Sequence, residues 1–163
     1  MMSIDSMEAW ISLAGYASFF FLLARLSFDD VRIGLLYNRW VLALALVGIL
    51  MAGSGQLVSP LSALFGALVG GGLLYAVRLL SRGGMGGGDV KLAAALGIWT
   101  GLDGILPALF VAFVLGSMFG VAQMILYRQR HMKLPFGPFL AVGGMVGVFF
   151  GADIMRWYEA WFL

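Results

Sequence analysis

Long apolar runs alternate along this chain with short polar or glycine-rich breaks. Trp10 to Phe28 is the first run, about long enough to span a bilayer, with Arg25 near its end. A mixed charged segment follows, from Asp29-Asp30-Val31-Arg32 to Asn38-Arg39. Trp40 to Ala52 is apolar again, and Gly53-Ser54-Gly55-Gln56 reads as a turn. Leu61 to Leu80 is the third run, and a glycine-rich stretch closes it. Val90 to Thr100 is too short to span alone at about 1.5 Å per residue. It must borrow length from the glycines before it or from Gly101 to Gly104. Ile105 to Tyr127 is a further span with Pro107 near its start. Arg128 to Lys133 is a basic loop, and Pro135 to Gly151 is the last span. The pattern predicts six helices, two of them short or irregular.

Composition turns those helices into membrane spans. The chain has 163 residues, 62% of them hydrophobic and 11% charged, where a soluble domain carries about 25% charged residues. One water-soluble core of this length cannot bury so much apolar surface. The expected fold is therefore an all-α integral membrane protein, a six-transmembrane helical bundle forming a single domain over residues 1–163. Met1 to Glu8 lacks a basic n-region and does not read as a cleaved signal peptide. With no cysteine, disulfides, thiol nucleophiles and thiolate zinc sites are excluded together. A single histidine, His131, makes an all-protein catalytic zinc site unexpected and reads as a solvated loop residue. No metal, cofactor or nucleic-acid partner is expected.

Charge placement orients the bundle. With both termini outside, the inner loops 25–39, 78–91 and 127–134 hold nine of the ten basic residues, leaving only Arg156 outside. The positive-inside rule thus places both ends on the non-cytoplasmic side. Asp5, Glu8, Asp103, Asp153 and Glu159 fall outside, whereas Asp29, Asp30 and Asp89 sit at junctions between inner loops and spans. The pairs Gly66/Gly70, Gly97/Gly101, Gly116/Gly120 and Gly143/Gly147 are spaced four apart, as expected where helices pack closely.

The stretch Gly83-Gly84-Met85-Gly86-Gly87-Gly88-Asp89-Val90-Lys91 carries the candidate chemistry. Each glycine costs a helix about 1 kcal/mol relative to alanine, but glycines let a backbone approach what a side chain would block. Asp89 is either an N-cap that accepts the free amides of the helix start or a functional intramembrane acid. Two acids at one membrane face, with no cysteine, suit aspartic peptidase chemistry. One carboxylate takes a proton from water, and the other, kept neutral by its neighbour and by desolvation, polarises a scissile carbonyl. No serine has a matched His/Asp set. A small cation-coupled transporter or channel could also use Asp89 in a glycine-broken helix, and a purely structural subunit could use it as a cap.

Gly86-Gly87-Gly88-Asp89 is a GxGD motif, and Gly84 to Leu92 resembles the corresponding segment of bacterial type IV prepilin peptidases. Asp30-Val31-Arg32, with Asn38 eight residues after Asp30, is similar to that family's first-aspartate segment. Leu134-Pro135-Phe136-Gly137-Pro138-Phe139-Leu140 resembles its Pro-Phe-Gly-Pro segment opening the last helix. By that resemblance Asp30 and Asp89 are the catalytic aspartates of a membrane aspartic endopeptidase. Gly86 and Gly88 shape the loop against the substrate, and Asp29 and Asn38 are accessory candidates. Leu36-Tyr37 stands where the family usually has Ile-Pro, so the turn after Asp30 is expected to differ. Nothing in the chain corresponds to the cysteine-bearing insertion linked to N-methylation, so the resemblance is to the short, peptidase-only branch serving Flp-type pili. It implies removal of the basic leader from prepilins or pseudopilins, whose apolar helix stays in the bilayer. The site would face the cytoplasm from the bacterial inner membrane.

Overall fold

The computed structural model describes residues 4–82, 84–127 and 135–162, with only the backbone described for Ile4, Asp5 and Phe162. Gly83, Leu134 and the expected basic loop 128–133 with His131 lie outside the described residues. Among the described residues five helices follow in order: α1 (Ile4–Ile33), α2 (Asn38–Gly53), α3 (Pro60–Leu80), α4 (Gly87–Tyr127) and α5 (Gly137–Phe162). Among the described residues there is no strand.

The helix ends follow from local sequence. The expected loop beginning at Asp29 is instead helical through Ile33. Gly34, at φ 67°, ends α1 in the left-handed region, and its N–H bonds the Asp30 carbonyl at 2.9 Å. The turn at Gly53 to Gln56 is present, with Gly55 at φ 75°. Ser59 caps α3 by accepting the Ser62 N–H at 3.2 Å, and Pro60 follows at the first helical position. α5 runs eleven positions past the expected Gly151, to Phe162.

Six separate spans are not supported. Among the described residues four helices are long and apolar enough to cross a membrane by length and composition, and α2 is a shorter apolar helix. The expected break over Gly101 to Gly104 is confined to Gly101, which leaves helical geometry (φ 66°, ψ −172°). Helix resumes at Leu102, whose N–H donates to Ser62 Oγ at 3.0 Å. The two arms of α4, residues 87–100 and 102–127, then double back. Thr100 and Gly104 both lie against Gly147, while Leu96 and Ala108 lie against the adjacent Gly144 and Gly143. The apolar helices and this serial packing describe a multi-pass membrane protein.

Small residues set the spacing between helices. A Cβ on Gly66 or Gly97 would strike the backbone of the other helix, and one on Gly147 would meet the Gly104 carbonyl oxygen at 2.6 Å. In a bilayer such close packing, rather than escape from water, holds helices together. Gly120 departs from the expected pattern, since nothing lies within 4 Å of a Cβ there. The core lies where both arms of α4 meet α1, α2 and α5, around Phe19, Leu23, Leu44, Leu96 and Trp99. The Trp99 ring lies tilted against Phe19, centroids 4.6 Å apart, and donates Nε1–H to the Leu44 carbonyl at 2.8 Å. Ser12 meets Gln56 at the end of the bundle that holds the Gly101 bend. The opposite end gathers the last turn of α1 and the starts of α4 and α5.

Candidate active site

Three helix termini meet at that opposite end, and each brings one polar group inward. The long α1 carries Asp30 into its last turn, where the residue is 7% exposed. Gly137 opens α5, and its free N–H donates to Asp30 Oδ2 at 2.7 Å. A helix N-terminus leaves such amides without internal partners. Here one of them fixes the carboxylate of a residue 107 positions away. A Cβ on Gly137 would sit 2.7 Å from that same oxygen.

Asp89 stands at the third position of α4 and is 8% exposed. Its carboxylate turns back within hydrogen-bonding reach of the Gly86 backbone, the reciprocal arm of a capping box. The expectation of Asp89 as the N-cap is therefore shifted: Gly86 holds the cap position. This contact leaves Asp89 Oδ1 buried with no hydrogen-bond partner among the described residues. Asp89 also lies within the electrostatic field of Asp30. The two aspartates singled out by the sequence are thus brought to one end of the bundle. Two carboxyls so placed act on each other electrostatically, each disfavouring the other's charge.

The glycines leave space for this arrangement. A Cβ on Gly86 would press on Asp89 Oδ2 at 2.9 Å, and one on Gly88 would press on Leu36 Cβ at 2.8 Å. A Cβ on Gly87 would meet only the guanidinium end of Arg78, which can swing away. Among the described glycines positive φ is found at Gly34, Gly55 and Gly101, so Gly86, Gly87 and Gly88 serve close approach rather than a left-handed bend. The departure at Leu36-Tyr37 leaves the turn compatible with proline. Tyr37 has φ −66° and ψ 124°, the φ that a proline ring imposes.

Two accessory candidates sit differently from expectation. Asp29, expected at the junction of an inner loop and a span, is 3% exposed. It pairs with Arg25 one turn earlier at 3.2 Å, while its Oδ2 is buried without a partner. Helical geometry explains the burial, because Asp29 and Asp30 continue the stripe of α1 that buries Leu22, Leu23 and Leu26. Asn38 accepts from Lys91 Nζ at 2.9 Å and so ties the start of α2 to the first turn of α4. Sequence reasoning assigned Lys91 only to topology and gave Gly137 no role. A glycine between two proline-aromatic steps, Pro135-Phe136 and Pro138-Phe139, at a helix start is the available signal for an aimed amide. Among the described residues no three His, Cys, Asp or Glu side chains cluster as metal ligands.

Residues 17–121 match the type IV leader peptidase family. Over 142 residues the chain is 37% identical to a prepilin leader peptidase/N-methyltransferase of Xanthomonas campestris pv. campestris, covering 83% of this chain and 50% of that protein. A protein of the same description from Aeromonas hydrophila is 37% identical over 161 residues, covering 94% of this chain and 55% of its own length. One from Bacillus subtilis is 28% identical over 145 residues, covering 86% of this chain and 57% of its own. The chain spans about half the length of the curated relatives it matches. No solved structure matches it.

Proposed function

The chain belongs to the type IV leader peptidase family, and from that premise we propose that it is a membrane aspartic endopeptidase that removes the basic leader of type IV prepilins or pseudopilins. The observation that carries this reading is the meeting of Asp30 and Asp89, both buried, at one end of the bundle. In this mechanism a water lies between the two carboxyls beside the substrate's extended backbone. One carboxyl takes a proton from the water as its oxygen attacks the scissile carbonyl. The other, protonated, donates to the carbonyl oxygen, and a proton passes to the leaving amine as the C–N bond breaks. Asp89 Oδ1 is the unpartnered buried atom available for that work. Gly137 positions Asp30 and Gly86 positions Asp89, while Gly88 lets Leu36 close over the start of α4. Asn38 braces α4 through Lys91, and Asp29 is held by Arg25 rather than presented to a leader.

The orientation follows from charge. The end that holds the aspartates also carries Arg25, Arg32, Arg39, Arg78 and Lys91; by the positive-inside rule this supports a site that faces the cytoplasm from the bacterial inner membrane, with both termini on the other side. The 1–163 chain acts in this reading as one membrane peptidase domain, with peptide hydrolysis rather than N-methylation as its activity. The test is reconstitution of the full chain into vesicles with a prepilin from the same source. A product shortened by its basic leader, identified by mass, supports the reading. An unchanged prepilin, with the protein folded and correctly inserted, would refute it.

A further inference from the structure

On the side of α4 turned away from the aspartates, α2, α3 and the first arm of α4 leave a groove of about 460 Å³. Its walls are Val41, Leu42 and Ala45 of α2 with Ala94, Ala95 and Ile98 of α4, and Ala67 of α3 closes its far end. Lys91 to Ile98 spans about 10 Å at 1.5 Å per residue. The mouth lies at the site end and holds Asn38, Arg39 and Lys91. Lys91 reaches only the neutral Asn38 amide, and Arg39 stacks over Tyr37 and Trp40. Neither has a carboxylate partner among the described residues.

We propose that this groove binds an anionic phospholipid, with an acyl chain along the alanine-lined wall and the phosphate held by Lys91, Arg39 and the Asn38 amide. Charge complementarity selects the occupant: two basic side chains without counter-ions stand over an apolar slot that opens toward the bilayer. A basic leader is repelled by the same pair. Helix geometry also separates the groove from catalysis. Lys91, Ala94, Ala95 and Ile98 form one stripe of α4, while Asp89, Leu92, Ala93 and Leu96 form the buried stripe across from it. A substrate helix seated here would have to cross α4 to reach Asp89. The bound lipid would brace α2 against α4 at the level where Lys91 and Asn38 already join them.

The inference rests on the membrane reading and is independent of the peptidase reading. The full chain is reconstituted in vesicles of equal phosphatidylglycerol and phosphatidylcholine, extracted, and its retained lipid measured by native mass spectrometry. The wild type should retain phosphatidylglycerol preferentially. Lys91→Gln and Arg39→Gln should each lower that preference about fivefold, the effect expected of one basic residue at an anionic surface. Ala94→Phe should displace the lipid without a change of charge. Arg32→Gln, at the same end but outside the groove, should leave the preference intact, as should Asp89→Asn. A preference that survives the Lys91/Arg39 double substitution, or falls equally with Arg32→Gln, overturns the site. A photo-crosslinker at Leu42 should capture lipid; capture of prepilin or of a second copy instead would also overturn it.

Discussion

Gly137→Ala places one methyl group where the structure has least room for it. The new Cβ would stand 2.7 Å from Asp30 Oδ2 and 3.1 Å from its Cβ and Cγ. Ordinary contact begins near 3.4 Å, so the carboxylate or the start of α5 must yield by about 0.7 Å. Yielding also stretches the 2.7 Å bond from the Gly137 N–H. Overpacking of this kind costs about 1–3 kcal/mol. Misplacing a catalytic group by about 1 Å costs about a hundredfold in rate. Leader cleavage should therefore fall about a hundredfold while the melting transition falls only by that modest stability cost. The assay pairs a prepilin cleavage time course with a melting curve in the same detergent. Gly120→Ala is the control, since a Cβ there meets nothing within 4 Å. It should be neutral or stabilising by about 0.5–1 kcal/mol, as expected for alanine replacing a glycine inside a helix. Wild-type cleavage by Gly137→Ala would refute the claim that this amide positions Asp30.

The glycines before Asp89 should separate in the same pair of assays. Gly87→Ala should be tolerated because Arg78 can move, whereas Gly86→Ala and Gly88→Ala should lose cleavage with only a small loss of melting temperature. Tyr37→Pro should fold and be neutral or stabilising by about 0.4–1 kcal/mol, since the native φ of −66° already suits proline; a clear drop in melting temperature would show otherwise. Gly97→Ala would drive a methyl into the Gly66 backbone across the α3–α4 seam. It should destabilise by about 1–3 kcal/mol in thermal melts, and an unchanged melt would mean that the seam is loose.

The all-helical class, most of the apolar runs and the two aspartates as candidates are legible in the chain because each is written in local pattern. Hydrophobic run length marks the spans, and the spacing from Asp30 to Asn38 and the GxGD stretch mark the acids. What is not legible depends on direction in space. Gly101 and Gly104 look alike in sequence, yet Gly101 takes the reversal while Gly104 packs under Gly147. A positive φ leaves no compositional trace, so the pattern does not tell which residue between Thr100 and Ile105 makes the bend. Asp29 looks as exposed as any charged residue after an apolar run, but α1 continues past it and carries it inside. The Lys91–Asn38 and Gly137–Asp30 bonds join residues 53 and 107 positions apart. Only the tertiary fold brings those partners together.

In the proposed mechanism Asp30 and Asp89 together perform peptide hydrolysis. Its most direct test is prepilin cleavage by Asp30→Asn, Asp89→Asn and Asp29→Asn, each shown to be inserted and folded. An amide retains hydrogen bonding and shape but cannot exchange the proton, so the first two variants should be inactive. Asp29→Asn, altering a carboxyl already engaged by Arg25, should retain substantial cleavage. Full activity in either Asp30→Asn or Asp89→Asn would contradict the two-aspartate mechanism.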